Sequence, residues 1–209
     1  MTSTTCNRSS LELEFKWLVP VEENLFSRRR AILACAHSTG AARAVKNVDY
    51  YFDTPSRKIE KSRAAMRMRA ARGKFELTVK SATKLKNGLA SRTETTLPLA
   101  ARSAAEAIEL AARANPFGIR ADSLGIVFRI SNRRTDYSLR FKTCSAVLSF
   151  DDVTIYAGQK AVRMKEIELE YQAGRKADFT AFIRCISKAS GLQPCLKSKV
   201  ATARAAAAL

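Results

Sequence analysis

The sequence predicts an α+β protein in which eight antiparallel strands close into a barrel and helices pack on the outside. Three observations lead there. Short runs alternate charged and apolar residues with the period of two that a strand imposes. Turn residues such as Asp53-Thr54-Pro55 and Lys86-Asn87-Gly88 separate the runs, as in an antiparallel meander. Three other segments, near 21–37, 103–115 and 178–190, carry helical spacing or capping signals instead. The 209 residues suit one domain and are enough to bury a real core. The expected organisation is a disordered arm at 1–10, a single domain at 11–200 and an Ala-rich tail at 201–209.

The first strand is Glu12-Leu13-Glu14-Phe15-Lys16, with the charged residues on one face and Leu13, Phe15 and Trp17 on the other. Strand rise puts the two carboxylates about 6.5–7 Å apart, so they repel unless cations lie between them. Val21 to His37 reads as an amphipathic helix carrying Leu25, Phe26, Ile32 and Leu33. The β-favouring run Val45–Pro55 follows. Next come 64–70, with Arg67 and Arg69 opposite Met66 and Met68, and 74–80, with Glu76, Thr78 and Lys80 opposite Phe75, Leu77 and Val79. In 91–99, Arg92 and Glu94 share a face. Ser103 and Glu106 form a capping box that opens a helix stopped by Pro116. Three strands close the series: 126–139 with Arg129, Arg133 and Arg134; 146–155 with Asp151 and Asp152; and 163–171 with Glu166, Glu168 and Glu170 alternating against Ile167, Leu169 and Tyr171. A last helix near 178–190 ends at Gly191.

Net charge is +18, from 37 Lys and Arg against 19 Asp and Glu, which favours a polyanionic partner without choosing one. The five cysteines form no Cys-x-x-Cys pair and read as reduced thiols of a cytoplasmic protein. No run is long and apolar enough to span a membrane, and no secretory signal is seen. The single histidine, His37, falls at a helix end, which argues against a nucleophile–histidine pair.

The charged faces are specialised: Glu on the first and last strands, Arg on the third, Lys on the fourth. Solvated faces would mix polar types. Turned inward in a closed barrel, they would set carboxylates suited to Mg²⁺ or Mn²⁺ beside Arg and Lys suited to phosphate oxygens. That combination describes a site for a metal-bound phosphate chain.

These same residues resemble the signature of the CYTH domain, the triphosphate tunnel metalloenzymes. Glu12-Leu13-Glu14-Phe15-Lys16 resembles its Glu-x-Glu-x-Lys motif, and Tyr51-Phe52-Asp53-Thr54-Pro55 its second-strand motif. Arg67-Met68-Arg69, Lys80, Arg92-Thr93-Glu94, Arg134, Asp151, Glu166 to Glu170 and Ser198-Lys199 follow in the family's order. The resemblance covers about 11–200 and is nearest to the bacterial inorganic triphosphatases. It implies metal-dependent hydrolysis of a terminal phosphoanhydride, most simply of inorganic triphosphate. Class IV adenylyl cyclases and thiamine triphosphatases are similar, and a non-catalytic polyphosphate- or RNA-binding tunnel is the reading from another class. The resemblance assigns Glu12, Glu14, Glu94, Asp151, Glu166, Glu168 and Glu170 to the metal. It assigns Lys16, Arg67, Arg69, Lys80, Arg92, Arg134 and Lys199 to phosphate, with Lys16, Tyr51 and Lys80 nearest the chemistry. The implied partner is a small triphosphate, with polyphosphate as a further anion; nucleic acid and membrane are not expected, and a homodimer is compatible with the family. Asp53 serves either the turn or the metal, Tyr51 either packing or substrate, and Arg129 and Arg133 are read as surface charges. Thr96 and Asn132 stand where many members carry Glu and Lys, departures that touch a metal ligand and a phosphate contact.

Overall fold

The computed structural model describes residues 8–207. Its strands are β1 (Arg8–Val19), β2 (Ser38–Thr39), β3 (Arg43–Asp53), β4 (Ala65–Ala71), β5 (Lys74–Lys80), β6 (Lys84–Lys86), β7 (Leu89–Leu99), β8 (Gly125–Phe141), β9 (Cys144–Ala157) and β10 (Lys160–Ala173). Its helices are α1 (Arg29–Leu33), α2 (Lys58–Lys61), α3 (Ala104–Arg113), α4 (Lys176–Ser190) and α5 (Lys199–Ala207). The order β1-β10-β9-β8-β3-β4-β5-β7 returns to β1 through a β1–β7 pairing, which closes the eight-stranded ring. The short β2 and β6 add to β8 and β7. Every pairing in the ring is antiparallel.

Alternation decides which way each face turns. Leu13, Phe15 and Trp17 of β1 point outward and join Phe150, Phe179, Phe182 and Ile186 in a cluster under α1 and α4. Met66, Met68 and Leu77 point outward beneath Ala107 and Ala111 of α3. Trp17, Met66, Met68, Phe179 and Phe182 are each 0% exposed, and burying a side chain of that size contributes about 1.5–3 kcal/mol. With the outer faces committed to the helices, the charged faces turn inward. At α4's end, Gly191 takes φ 65°, the left-handed conformation glycine allows. Gly174, at φ 101°, lies so close to Thr143 that a Cβ would sit 2.1 Å from its carbonyl oxygen.

Three segments differ from the sequence reading. The helix expected over 21–37 shrinks to Arg29–Leu33. Asn24 Oδ1 accepts from Phe26 N at 2.9 Å and Glu23 N donates to Pro20 O at 3.1 Å, so turn bonds outcompete the helical ladder there. The arm expected at 1–10 is in part β1, since Ser9 and Ser10 pair with Thr95 and Glu94; residues 1–7 lie outside the described residues. The Ala-rich tail is α5, with Ala203 and Ala206 buried and 208–209 outside the described residues. Unlike the other helices, α5 covers Ile130, Val153 and Ile155. On β9, Val153 and Ile155 share the inward face of Asp151, so one end of the barrel interior is apolar and closed by a helix. Among the described residues no helix is long and apolar enough to cross a membrane.

Candidate active site

The barrel encloses a cavity of about 580 Å³. Cross-strand register builds its wall from opposed charges: Lys16 faces Glu168, Glu12 faces Arg92, Lys80 faces Glu94, and Asp151 is flanked by Glu166 and Arg134. Glu12, Glu14, Glu94, Glu168 and Glu170 line the cavity, as do Lys16, Arg67, Arg69, Lys80, Arg92, Arg134 and Lys199. Asp151 and Glu166 are 0% exposed and sit behind that lining.

Two ionic groups result. In the first, Lys199 from the start of α5 lies 2.8 Å from Asp151 and 2.9 Å from Glu168, and also contacts Glu166. Lys16 Nζ is 2.5 Å from Glu168 and 3.3 Å from Glu14. Arg134 forks onto Asp151 at 2.7 and 2.5 Å and touches Glu168. In the second, Arg92 lies 2.5 Å from Glu12 and 3.0 Å from Glu14, while Lys80 contacts Glu94 and stands 3.8 Å from Glu12.

Burial and pairing pull the carboxyls apart. Burial pushes Glu12 up to about 8 and Glu166 up to about 7, and it also raises Glu170. For Glu168 burial is outweighed by Lys16, Lys199 and Arg134, and for Glu94 chiefly by Lys80, so both lie well below the usual range. Burial, with Arg67 and Arg92 nearby, brings Lys80 down to about 8. Against burial, Lys16 and Lys199 are held above the ordinary lysine value by their carboxylates.

The donor set fits a hard divalent cation. Oxygen atoms of Asp151, Glu166 and Glu168 lie within 4.8 Å of one another. Glu166 Oε2 is buried and accepts no hydrogen bond, a costly state for a carboxylate oxygen that coordination would relieve, whereas the buried Glu12 Oε2 and Glu14 Oε1 lie against Arg92.

Asp49 was missed by the sequence reading. It is 3% exposed, and its carboxylate accepts from Arg69 at 2.7 and 2.8 Å and from Arg67 at 3.2 Å. The two arginines hold it well below the carboxylate range despite burial. The available signal was register: Asp49 is two residues from Tyr51 on the same face and opposite Arg69. Tyr51 lines the cavity but stacks on Phe128 at 4.6 Å. Asp53 serves the turn, accepting from Thr54 N, Ile59 N and Glu60 N at 2.8, 2.9 and 3.0 Å. Thr96 and Asn132 are on the cavity wall, and Asn132 Oδ1 is buried without a partner. Arg133 is exposed beside Asp152, and Arg129 lies over Tyr156 at 4.4 Å. His37 is exposed, with Nδ1 accepting from Lys142 N at 3.2 Å, away from the cavity.

The CYTH domain description matches residues 10–203, nearly the whole chain. The chain belongs to the CYTH domain family. Among curated relatives, an inorganic triphosphatase of Haemophilus influenzae is 26% identical over 136 residues, covering 65% of this CYTH chain and 39% of that protein. The chain thus matches well under half the length of that relative. A solved structure of a Hippeastrum protein, described as a putative adenylyl cyclase with a dominant triphosphatase activity, superposes with a TM-score of 0.64 at 18% identity, covering 93% of this chain and 96% of that one. A putative adenylate cyclase from Bacillus halodurans gives 0.62 at 21% identity, covering 92% and 96%. Both share the CYTH tunnel fold.

Proposed function

We propose that this CYTH domain hydrolyses the terminal phosphoanhydride of inorganic triphosphate with Mg²⁺ or Mn²⁺. The observation that carries the proposal is the enclosure of interleaved carboxylates and cations in one cavity, with a Glu166 oxygen buried behind its wall and free of donors. Glu12, Glu14, Glu166, Glu168 and Asp151 would hold the metal, with Glu94 and Glu170 at its margin. When bound, the ion supplies charge neutralisation for the phosphate chain and orients water. Lys16, Arg67, Arg69, Lys80, Arg92, Arg134 and Lys199 bind non-bridging oxygens and stabilise charge that builds on the leaving pyrophosphate. Water is the nucleophile, so no serine or cysteine is required. Tyr51 supports Arg67 by packing at the cavity wall.

A second reading has its own observation. A side chamber of about 200 Å³, lined by Tyr51, Met66, Val127 and Phe128, shares Tyr51, Glu60, Ala65 and Arg204 with the tunnel. Such a chamber favours an organic triphosphate such as ATP or thiamine triphosphate. Triphosphate, ATP and thiamine triphosphate incubated with each metal separate the readings by free phosphate and cyclic AMP. Metal-dependent phosphate release from triphosphate is expected, reduced about 10²-fold or more in Glu14→Gln. Equal turnover in wild type and variant would remove the assignment.

A further inference from the structure

The cationic and acidic side chains lining the cavity are nearly equal in number, so the surplus of +18 lies elsewhere on the molecule. Part of it is gathered on the outer face of β3, β8, β9 and β10. The alternation that turns Asn47, Asp49, Asn132, Arg134 and Asp151 inward turns their neighbours outward, and register lines those neighbours up in rows. Lys46, Arg133, Asp152 and Lys165 form the first row, Val48, Ser131, Thr154 and Arg163 the second, and Tyr50, Arg129, Tyr156 and Ala161 the third. None of these residues lines the cavity.

This face meets solvent. Lys46, Arg129, Arg133, Tyr156 and Arg163 are exposed, and Tyr50 is half-buried at the edge of the cluster under α3. The three rows hold five cations and a single carboxylate, Asp152, which Arg133 takes at 2.5 Å and Arg163 approaches at 4.0 Å. Lys165 donates to the carbonyls of Val21 and Glu23 at 2.5 and 2.6 Å. Glu22 and Glu23 border the first row, and Glu23 is held by Arg28. In the third row the Arg129 guanidinium stands over the Tyr156 ring at 4.4 Å, with Tyr50 on its other side. Cations and aromatic groups are thus laid out side by side, in separate rows of one sheet.

We infer that this outer face binds single-stranded nucleic acid, with bases stacked on Tyr156, Arg129 and Tyr50 and phosphates on Lys46, Arg133 and Arg163. Bases stack on tyrosine rings and on arginine planes, and a strand's backbone follows cations set beside them. Neighbouring strands lie about 4.8 Å apart, so the third row spans about 10 Å, and sheet platforms of this kind stack two or three bases. The outer wall of a small barrel serves in the same way in oligonucleotide-binding folds. An acidic peptide would satisfy the cations but leave the aromatic row unused. A second copy of this chain would set like charges against like, which is costly. Nucleic acid is not expected from the sequence because the face is assembled from four strands and exists only through their register.

Fluorescence anisotropy with the full chain and a labelled single-stranded RNA of about twelve nucleotides, carrying a 5′-hydroxyl, tests this. DNA of the same sequence, the RNA duplex and polyglutamate are the other probes. Arg129→Ala/Tyr156→Ala is expected to weaken single-strand binding about tenfold or more. Lys46→Gln/Arg163→Gln should flatten the dependence of log Kd on log salt by about 0.7 for each cation removed. Both variants should release phosphate from triphosphate as wild type does, and Lys80→Gln, inside the tunnel, should bind RNA within about twofold of wild type. Binding of RNA, of DNA or of both supports the face and identifies its source. No single-strand binding by wild type, or full binding by both face variants, would overturn the inference. So would a loss confined to Lys80→Gln, which would put the strand in the tunnel. Duplex or polyglutamate bound as tightly as the single strand would overturn it too, leaving a surface that reads charge alone. The anisotropy measurement stands whether or not triphosphate is hydrolysed, so it is decided separately from the function proposed above.

Discussion

Replacing Asp49 with Asn should lower stability and make triphosphate a stronger stabiliser than it is for the wild type. The Asp49 side chain is 5% exposed and Arg67 10%, whereas Arg69 is 19% exposed. Removing one partner of a buried ion pair costs about 3–5 kcal/mol, and the partial solvation of Arg69 favours the lower end, about 3 kcal/mol. For a chain of this size each kcal/mol moves Tm by about 2–4 °C, so the variant should melt about 6–12 °C lower. Triphosphate oxygens can replace the lost carboxylate between the two guanidinium groups, so saturating triphosphate should raise Tm more in the variant. The effect has a pH signature. Asp49 is depressed in the folded protein, so its contribution is full above the unfolded value of about 3.9 and fades as pH falls below it. The Tm gap between wild type and variant should therefore narrow in acid. A Tm within about 1 °C of wild type at pH 7, or a gap that widens in acid, would refute the reasoning.

Lys80 is brought down to about 8 by burial and by Arg67 and Arg92, and its phosphate contact needs the protonated form. The kcat/KM profile should fall as pH rises past about 8, and Lys80→Arg, which stays charged, should remove that limb. Chelation with EDTA should abolish phosphate release, and Mg²⁺ or Mn²⁺ should restore it. Ala203→Phe places a large side chain where α5 meets Ile130, Val153 and Ile155; overpacking of this kind costs about 1–3 kcal/mol, visible as a lower Tm in thermal melts.

Much of the barrel was legible because its strands alternate cleanly. In β1, β4, β5 and β10 one face is charged and the other apolar, and helices cover the apolar one. Single-strand patterns do not say whether the charged face meets water or another wall. Closure through the β1–β7 pairing supplies that answer. The tail was illegible for a related reason: alanine is the best helix former, yet its burial depends on the barrel end that receives it, and nothing local announces that. Turn chemistry at Asn24 outweighed the amphipathic spacing over 21–37. Asp49 escaped notice because β3 is aromatic on both faces, so its register against Arg69 had to be seen in three dimensions. The net charge was legible but easily misplaced, since the tunnel nearly balances its own charges and the surplus sits outside.

The most direct measurement is a crystal structure with Mn²⁺ and a slowly hydrolysed triphosphate analogue, using anomalous scattering to locate the metal. Manganese is predicted inside the barrel, against Glu12, Glu14 or Glu168, with phosphate oxygens on Arg67, Arg69, Lys80 and Arg92. Metal and phosphates found only on the outer surface, with the interior charges still paired to one another, would contradict the account.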